Sequence, residues 1–141
     1  MIAGSGPLEA AVCAQALALG VPLHMLGFCN QSEMPGAYAA ADVLVLPSTG
    51  RETWGLVANE ALACGCPVVL SDAVGSAPDL AADARVGQTF PLGDVDACGQ
   101  RLAAILAKPR ERQAIAEMSN RFSLDAAAEG ITRALAAIAP S

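Results

Sequence analysis

Short apolar runs alternate along the chain with Ala- and Leu-rich stretches of helical spacing, which predicts β-α units around a parallel sheet. Met1 to Ala3 reads as the tail of a strand. Gly4-Ser5-Gly6-Pro7 turns from it into a helix over about Leu8 to Leu19, with Pro7 suited to the first turn and Gly20 as the stop. Val21 to Leu26 predicts the next strand, and Gln31 to Ala41 a helix whose Met34, Tyr38 and Ala41 share a face. Val43 to Leu46 is unbroken and apolar, as expected of a strand covered on both faces. A loop from Pro47 to Thr53 leads into a helix from about Gly55 to Cys64, stopped by Gly65 and Pro67. Pro67 to Leu70 and Val86 to Phe90 predict two more strands, separated by a short helix over Ala77 to Ala82. Helices over about Val95 to Ala107, Pro109 to Asn120 and Leu124 to Ala139 complete the pattern. No internal repeat, linker or low-complexity tail interrupts it, so residues 1–141 are expected to form a single α/β domain.

Composition narrows the class. With 54% hydrophobic and 16% charged residues the chain is not intrinsically disordered. Its apolar stretches are broken by Glu9, Gln15, His24, Asp42 and Pro47, well short of the ~18 residues of a membrane span. No basic region followed by an apolar stretch and a cleavage site indicates export, so a cytoplasmic setting is expected. The net charge of −6 argues against nucleic acid and anionic lipid as general partners. Residues 1 to 50 contain no Lys or Arg, so a phosphate bound there would depend on backbone N–H groups. The five cysteines are an odd number, expected as reduced, buried, small apolar residues. Cys64-Gly65-Cys66 has no second pair at zinc spacing, so no metal site is expected. A three-residue first strand is short, which suggests that the sequence begins mid-strand with an upstream part missing.

Two segments could carry chemistry. Gly4 and Gly6 let a strand-to-helix turn approach a ligand closely. They supply only two glycines of the dinucleotide fingerprint, Glu9 standing where the third would be, which disfavours a dinucleotide oxidoreductase; an ordinary β-α turn explains them equally well. The second segment, Pro47 to Glu60, leaves the carboxyl end of a buried strand, where open α/β sheets bind ligands. A helix starting near Gly55 would aim the N–H groups of Gly55, Leu56 and Val57 at an anion. Glu52 precedes that helix start, and Glu60 lies about 8 Å beyond it along the axis. Carboxylates repel phosphate and accept from hydroxyls, so this pair suits a diphosphate with hydroxyls on both sides, a nucleotide sugar. Spacing alone equally allows Glu52 as an electrostatic cap and Glu60 as a solvated helix residue. His24 reads as a structural histidine, Asp42 and Asp72 as turn or helix-end hydrogen-bonders, and Arg51 as a loop arginine within reach of phosphate.

The stretch from Leu46 to Val69, with Glu52 and Glu60 separated by seven residues inside Glu-Thr-Trp-Gly-Leu-Val-Ala-Asn-Glu-Ala-Leu-Ala-Cys-Gly, resembles the donor-binding segment of retaining family 4 glycosyltransferases. Ala3 to Leu8 is similar to that family's glycine loop and Leu26-Gly27-Phe28 to its base-proximal turn. Tyr38 to Val43, Ser71 to Gly75 and Gly93 to Ala97 match as well, so the likeness covers nearly the whole chain. It implies the GT-B fold, two Rossmann-like domains facing across a cleft, with this chain as the C-terminal, donor-binding half. It further implies that Glu52 is the catalytic carboxylate on the transferred sugar and Glu60 the holder of the ribose hydroxyls. Gly4, Gly6, Thr53, Trp54, Gly55, Leu56 and Val57 would surround the remainder of the donor, with Phe28, Cys29 and Met34 at the base. Trp54 serves equally well as a packed anchor of its loop. The implied donor is a UDP- or GDP-sugar, transferred with retention and without a cofactor or bound metal.

Family members also clamp the diphosphate with an Arg and a Lys upstream of the glycine loop, and carry an acceptor domain. Neither is present in this sequence. Losing two charged hydrogen bonds would cost about 3–6 kcal/mol. The expectation is therefore a bacterial-type hexosyltransferase whose donor domain alone is inactive, any peripheral membrane association residing in the missing N-terminal acceptor domain. The alternative is a non-catalytic nucleotide-binding or protein-interaction module that kept the fold.

Overall fold

The computed structural model describes residues 1–50 and 52–138, so Arg51 and Ala139 lie outside the described residues. The chain divides into two compact units, residues 1–36 and 37–141.

The first unit holds β1 (Ile2–Ala3), α1 (Glu9–Ala18) and β2 (Met25–Gly27), and α2 (Met34–Ala40) begins in it. β1 and β2 pair in parallel. β2 starts later than the expected Val21, for a local reason. The Val21 N–H is used by the Ala16 carbonyl at the end of α1, and Pro22 has no N–H to give a ladder. His24 consequently lies ahead of the strand and is exposed. α2 also starts later than expected, at Met34 rather than Gln31. The Asn30 side chain accepts from the N–H groups of Ser32 and Glu33, while Glu33 Oε2 accepts from the Asn30 N–H at 2.9 Å. That reciprocal cap turns residues 31–33 before the regular helix begins.

The second unit carries β3 (Leu44–Leu46), α3 (Leu56–Ala63), β4 (Val68–Ser71), α4 (Ala77–Leu80), β5 (Gly87–Phe90), α5 (Val95–Leu106), α6 (Arg112–Arg121) and α7 (Leu124–Ile138). Its sheet is parallel in the order β3-β4-β5. All four β4 residues are buried. β3, expected to be covered on both faces, is only half-buried, because it occupies an outer position of this sheet. α3 ends as its sequence requires: Gly65 adopts φ +75°, Gly65 N–H reaches Leu62 O and Cys66 N–H reaches Ala61 O at 2.8 Å, before Pro67. Leu62, Val68, Val69, Leu70, Val74, Leu80, Val86 and Ile115 are fully buried and form the centre of the core. α5 is capped by Asp94, whose carboxylate accepts from Ala97 N–H, and packs against β5.

All five cysteines are free, as expected, yet only Cys66 is buried and Cys13 is exposed. Cys13 lies on α1, a helix with no buried residue. Burial pushes the Cys66 thiol above its ordinary pKa. No helix among the described residues is long and apolar enough to cross a membrane.

Candidate functional site

In the connection between β3 and α3, Ser48 and the residues from Thr53 to Gly55 are held by their neighbours. At its start, Ser71 Oγ, at the end of β4, donates to Ser48 O at 2.7 Å. At its end, Ser76 N–H donates to Trp54 O at 3.1 Å. Gly75 lies so close to the Thr53 carbonyl that any Cβ there would overlap it. Gly55, the N-cap of α3, sits at φ +89° and is buried; a Cβ on it would come within 2.9 Å of Val74 Cγ1 and 3.2 Å of Leu46 Cδ2. Glycine is required there for both conformation and space.

The start of α3 is electrostatically open. No side chain among the described residues caps it. Ala58 N–H bonds back to Gly55 O at 2.8 Å, whereas the N–H groups of Gly55, Leu56 and Val57 have no hydrogen-bond partner among the described residues. Three adjacent amides at the positive end of a helix dipole, without partners among the described residues, attract an anion. Leu56, on the first turn, is 67% exposed, Val57 is half-buried and Gly55 is buried.

The two glutamates differ in their surroundings. Glu52 is half-buried, its Cγ within van der Waals reach of a Cβ at Gly55, and its carboxylate has no partner among the described residues. Glu60 is exposed but anchored: Tyr38 Oη donates to Glu60 Oε2 at 2.8 Å. Tyr38 is only 4% exposed. Burial, followed by the hydrogen bond to Glu60, raises the Tyr38 phenol well above its ordinary pKa of 10.0. Glu60 Oε1 has no partner among the described residues and remains available as an acceptor.

Trp54 is tied down at both ends. Its Nε1–H donates to Asn59 Oδ1 at 2.7 Å, and Asn59 Nδ2–H donates to Phe122 O at 3.0 Å. The Trp54 and Phe122 rings stand 6.0 Å apart, and the Arg121 guanidinium lies 5.3 Å from the Phe122 centroid. This supports the anchoring role considered for Trp54 from sequence. Thr53 is exposed beside it.

The remaining predicted residues occupy the first unit. Gly4, at φ +124°, donates its N–H to Gly27 O at 2.7 Å, which brings the glycine loop against the turn that carries Phe28 and Cys29. Phe28 is 83% exposed and Cys29 half-buried; with Asn30 to Ser32 they line an open depression. Gly6 closes the first turn of α1 by accepting from Glu9 N–H, and Met34 is half-buried. Asp72 is committed to structure, its Oδ1 accepting from Leu92 N–H at 2.9 Å. Asp42 is exposed and lies 3.7 Å from Arg110, which also donates to Ala41 O.

Two residues at the site escape a reading by pattern. Tyr38 fits the apolar face of a helix, and its being the only tyrosine is the single hint of a polar task. Asn59 is a poor helix former amid Leu56, Val57, Ala58, Ala61 and Leu62, and that anomaly is its signal.

A sequence profile described as glycosyl transferases group 1 matches residues 1–122. The chain is 36% identical over 115 residues to the sulfoquinovosyl transferase SQD2 of Arabidopsis thaliana, covering 79% of this chain and 22% of that protein. It is 34% identical over 145 residues to a phosphatidyl-myo-inositol mannosyltransferase of Mycobacterium leprae, covering 100% of this chain and 38% of the relative. Among solved structures, sucrose-phosphate synthase from Thermosynechococcus elongatus superposes with a TM-score of 0.65 at 25% identity, over 96% of this chain and 38% of that one. The chain thus spans well under half the length of these relatives.

Proposed function

The chain belongs to the group 1 glycosyl transferases, with the Rossmann-like build of one half of a GT-B fold, and from that membership we propose that it is the donor-binding domain of a retaining, family 4 type hexosyltransferase. One observation carries this most directly: three amides without a hydrogen-bond partner among the described residues open a helix that follows Glu52 and carries Glu60 on its second turn. The distal phosphate of a UDP- or GDP-sugar would accept from Gly55, Leu56 and Val57 N–H groups, where the helix terminus contributes about 0.3–2 kcal/mol toward an anion. Glu60 would accept from the ribose hydroxyls through charge-assisted bonds. Glu52 would contact the transferred sugar and act as the catalytic carboxylate. Phe28, Cys29 and Met34 would border the base, with Gly4 and Gly6 in the adjacent turn.

In this scheme the departing diphosphate assists attack of the acceptor on the face it leaves, so configuration is retained, and the amides meet developing phosphate charge without a metal. The close contacts that hold Thr53, Trp54 and Gly55 matter because they orient the amides at the start of α3 before the ligand arrives. The 141-residue chain alone, with no Lys or Arg before Arg51 to clamp a diphosphate, is expected to bind donor weakly and to transfer no sugar. Calorimetric titration with UDP- and GDP-sugars tests this: weak binding that falls at least tenfold in Glu60→Ala supports the assignment, and unchanged affinity in that variant removes Glu60 from the site.

A further inference from the structure

We propose that Tyr38 is a positioning residue whose hydroxyl holds the Glu60 carboxylate, so that this domain discriminates ribonucleotide from 2′-deoxyribonucleotide donors. The proposal rests on the donor-site reading above, in which Glu60 faces the ribose, and deepens it.

A carboxylate on an exposed helix turn ordinarily samples several rotamers and has to be immobilised when a ligand binds. Glu60 differs, because Tyr38 Oη, reaching from α2, donates to its Oε2 at 2.8 Å. Tyr38 is itself buried, the residue being only 4% exposed. Its hydroxyl would be a costly buried group without an acceptor, and Glu60 is the one acceptor it has among the described residues. A carboxylate has about four lone-pair directions, and the phenol occupies one of them. Oε1 and the rest of Oε2 stay free for two vicinal hydroxyls, with the carboxylate plane already set. A ribose lacking one hydroxyl would leave part of that oriented acceptor unpaired, and sites built around a hydroxyl reject analogues that lack it. Without the phenol, Glu60 regains its rotamers and the penalty for the missing hydroxyl shrinks. Phenylalanine would fill the same volume at position 38, so packing alone does not call for the hydroxyl.

Ligand-observed NMR, which registers weak binding, provides the test. Wild-type chain, Tyr38→Phe and Glu60→Gln are each titrated with the pairs UDP and 2′-deoxy-UDP, and GDP and 2′-deoxy-GDP. Wild type is expected to favour the ribose form of the accepted base by about tenfold or more. Glu60→Gln is expected to bring that ratio near one, and Tyr38→Phe to lower it at least threefold. A purely structural role for Tyr38 would lower the unfolding temperature and leave the ratio unchanged, which overturns the proposal while Glu60→Gln still upholds the site. A ratio near one in wild type, or one that persists in Glu60→Gln, overturns the site reading together with the proposal. A second measurement needs no substitution. Tyr38 is the only tyrosine, so biosynthetic 3-fluorotyrosine labels that position alone. Its fluorine resonance is expected to move on saturation with the ribonucleotide and less with the deoxy form. No movement on saturation contradicts the proposal.

Discussion

Two strand-to-helix turns in this molecule carry glycines suited to approach a ligand, and they are built in opposite ways. The turn between β1 and α1 is open. A Cβ added at Gly4 or Gly6 meets nothing within 4 Å, and the helix that follows buries no residue. In the turn between β3 and α3, Ser71 holds Ser48, Ser76 and Asn59 hold Trp54, Gly75 lies against Thr53, and Gly55 is buried against Val74 and Leu46. Gly4 serves conformation alone in the first turn, and Gly55 serves conformation with close packing in the second. Orientation of backbone amides is therefore a built-in property of the β3–α3 turn.

This contrast predicts a graded response to single substitutions. The largest effects belong to Gly75→Ala and Gly55→Ala. The first drives a methyl into the Thr53 carbonyl, and the second combines a positive φ with a clash against Val74, so each is expected to cost about 2–4 kcal/mol. Thermal or urea unfolding measures this, and a cost below that of Gly4→Ala would break the comparison. Asn59→Leu comes next. It leaves the Trp54 indole N–H without its acceptor and releases the Phe122 carbonyl, with an expected loss of about 1–2 kcal/mol. Trp54 is the only tryptophan, so its emission reports directly on the loop and is expected to shift to the red in that variant. Trp54→Phe combined with Asn59→Leu is expected to cost less than the sum of the two single changes, because the second removes a group the first has already orphaned.

Alkaline pH sharpens the comparison from the helix side. The folded-state pKa of Tyr38 lies above its unfolded value of 10.0, so as pH rises past 10 the unfolded chain loses a proton that the folded chain keeps. Stability is expected to be unaffected by this group below that pH and to fall above it. Tyr38→Phe removes this component of the fall. As the only tyrosine, Tyr38 can be followed by tyrosinate absorbance, which is expected to lag in the folded protein and appear on unfolding. The smallest effect is assigned to Gly6→Ala, where neither positive φ nor crowding opposes a methyl; it is expected to fall within about 0.5 kcal/mol of wild type.

Local pattern carried the elements whose signals are local. The alternation of apolar runs and helical spacing gave the strand–helix order, and Gly55, Gly65 and Pro67 marked where α3 begins and ends. It misplaced the starts of β2 and α2, where a helix-end bond to Val21 and the Asn30–Glu33 cap took over the backbone groups. It overstated the burial of β3, because an apolar run does not reveal which position in a sheet a strand will take. At the candidate site, the Glu52–Gly55–Glu60 segment was visible as spacing. The supports around it were not, since Tyr38 finds its partner 22 residues away and Asn59 finds Phe122 at a separation of 63. Such pairings are products of the tertiary fold and leave no periodic trace.

The central claim is that the amides opening α3 receive the phosphate of a nucleotide sugar. Backbone amide chemical-shift mapping of the isotope-labelled chain, titrated to saturation with UDP- and GDP-sugars, tests it residue by residue. The N–H resonances of Gly55, Leu56 and Val57 are predicted to move furthest, accompanied by Glu60. Saturable binding that leaves those three amides unmoved, or no binding by either class of donor, would contradict it.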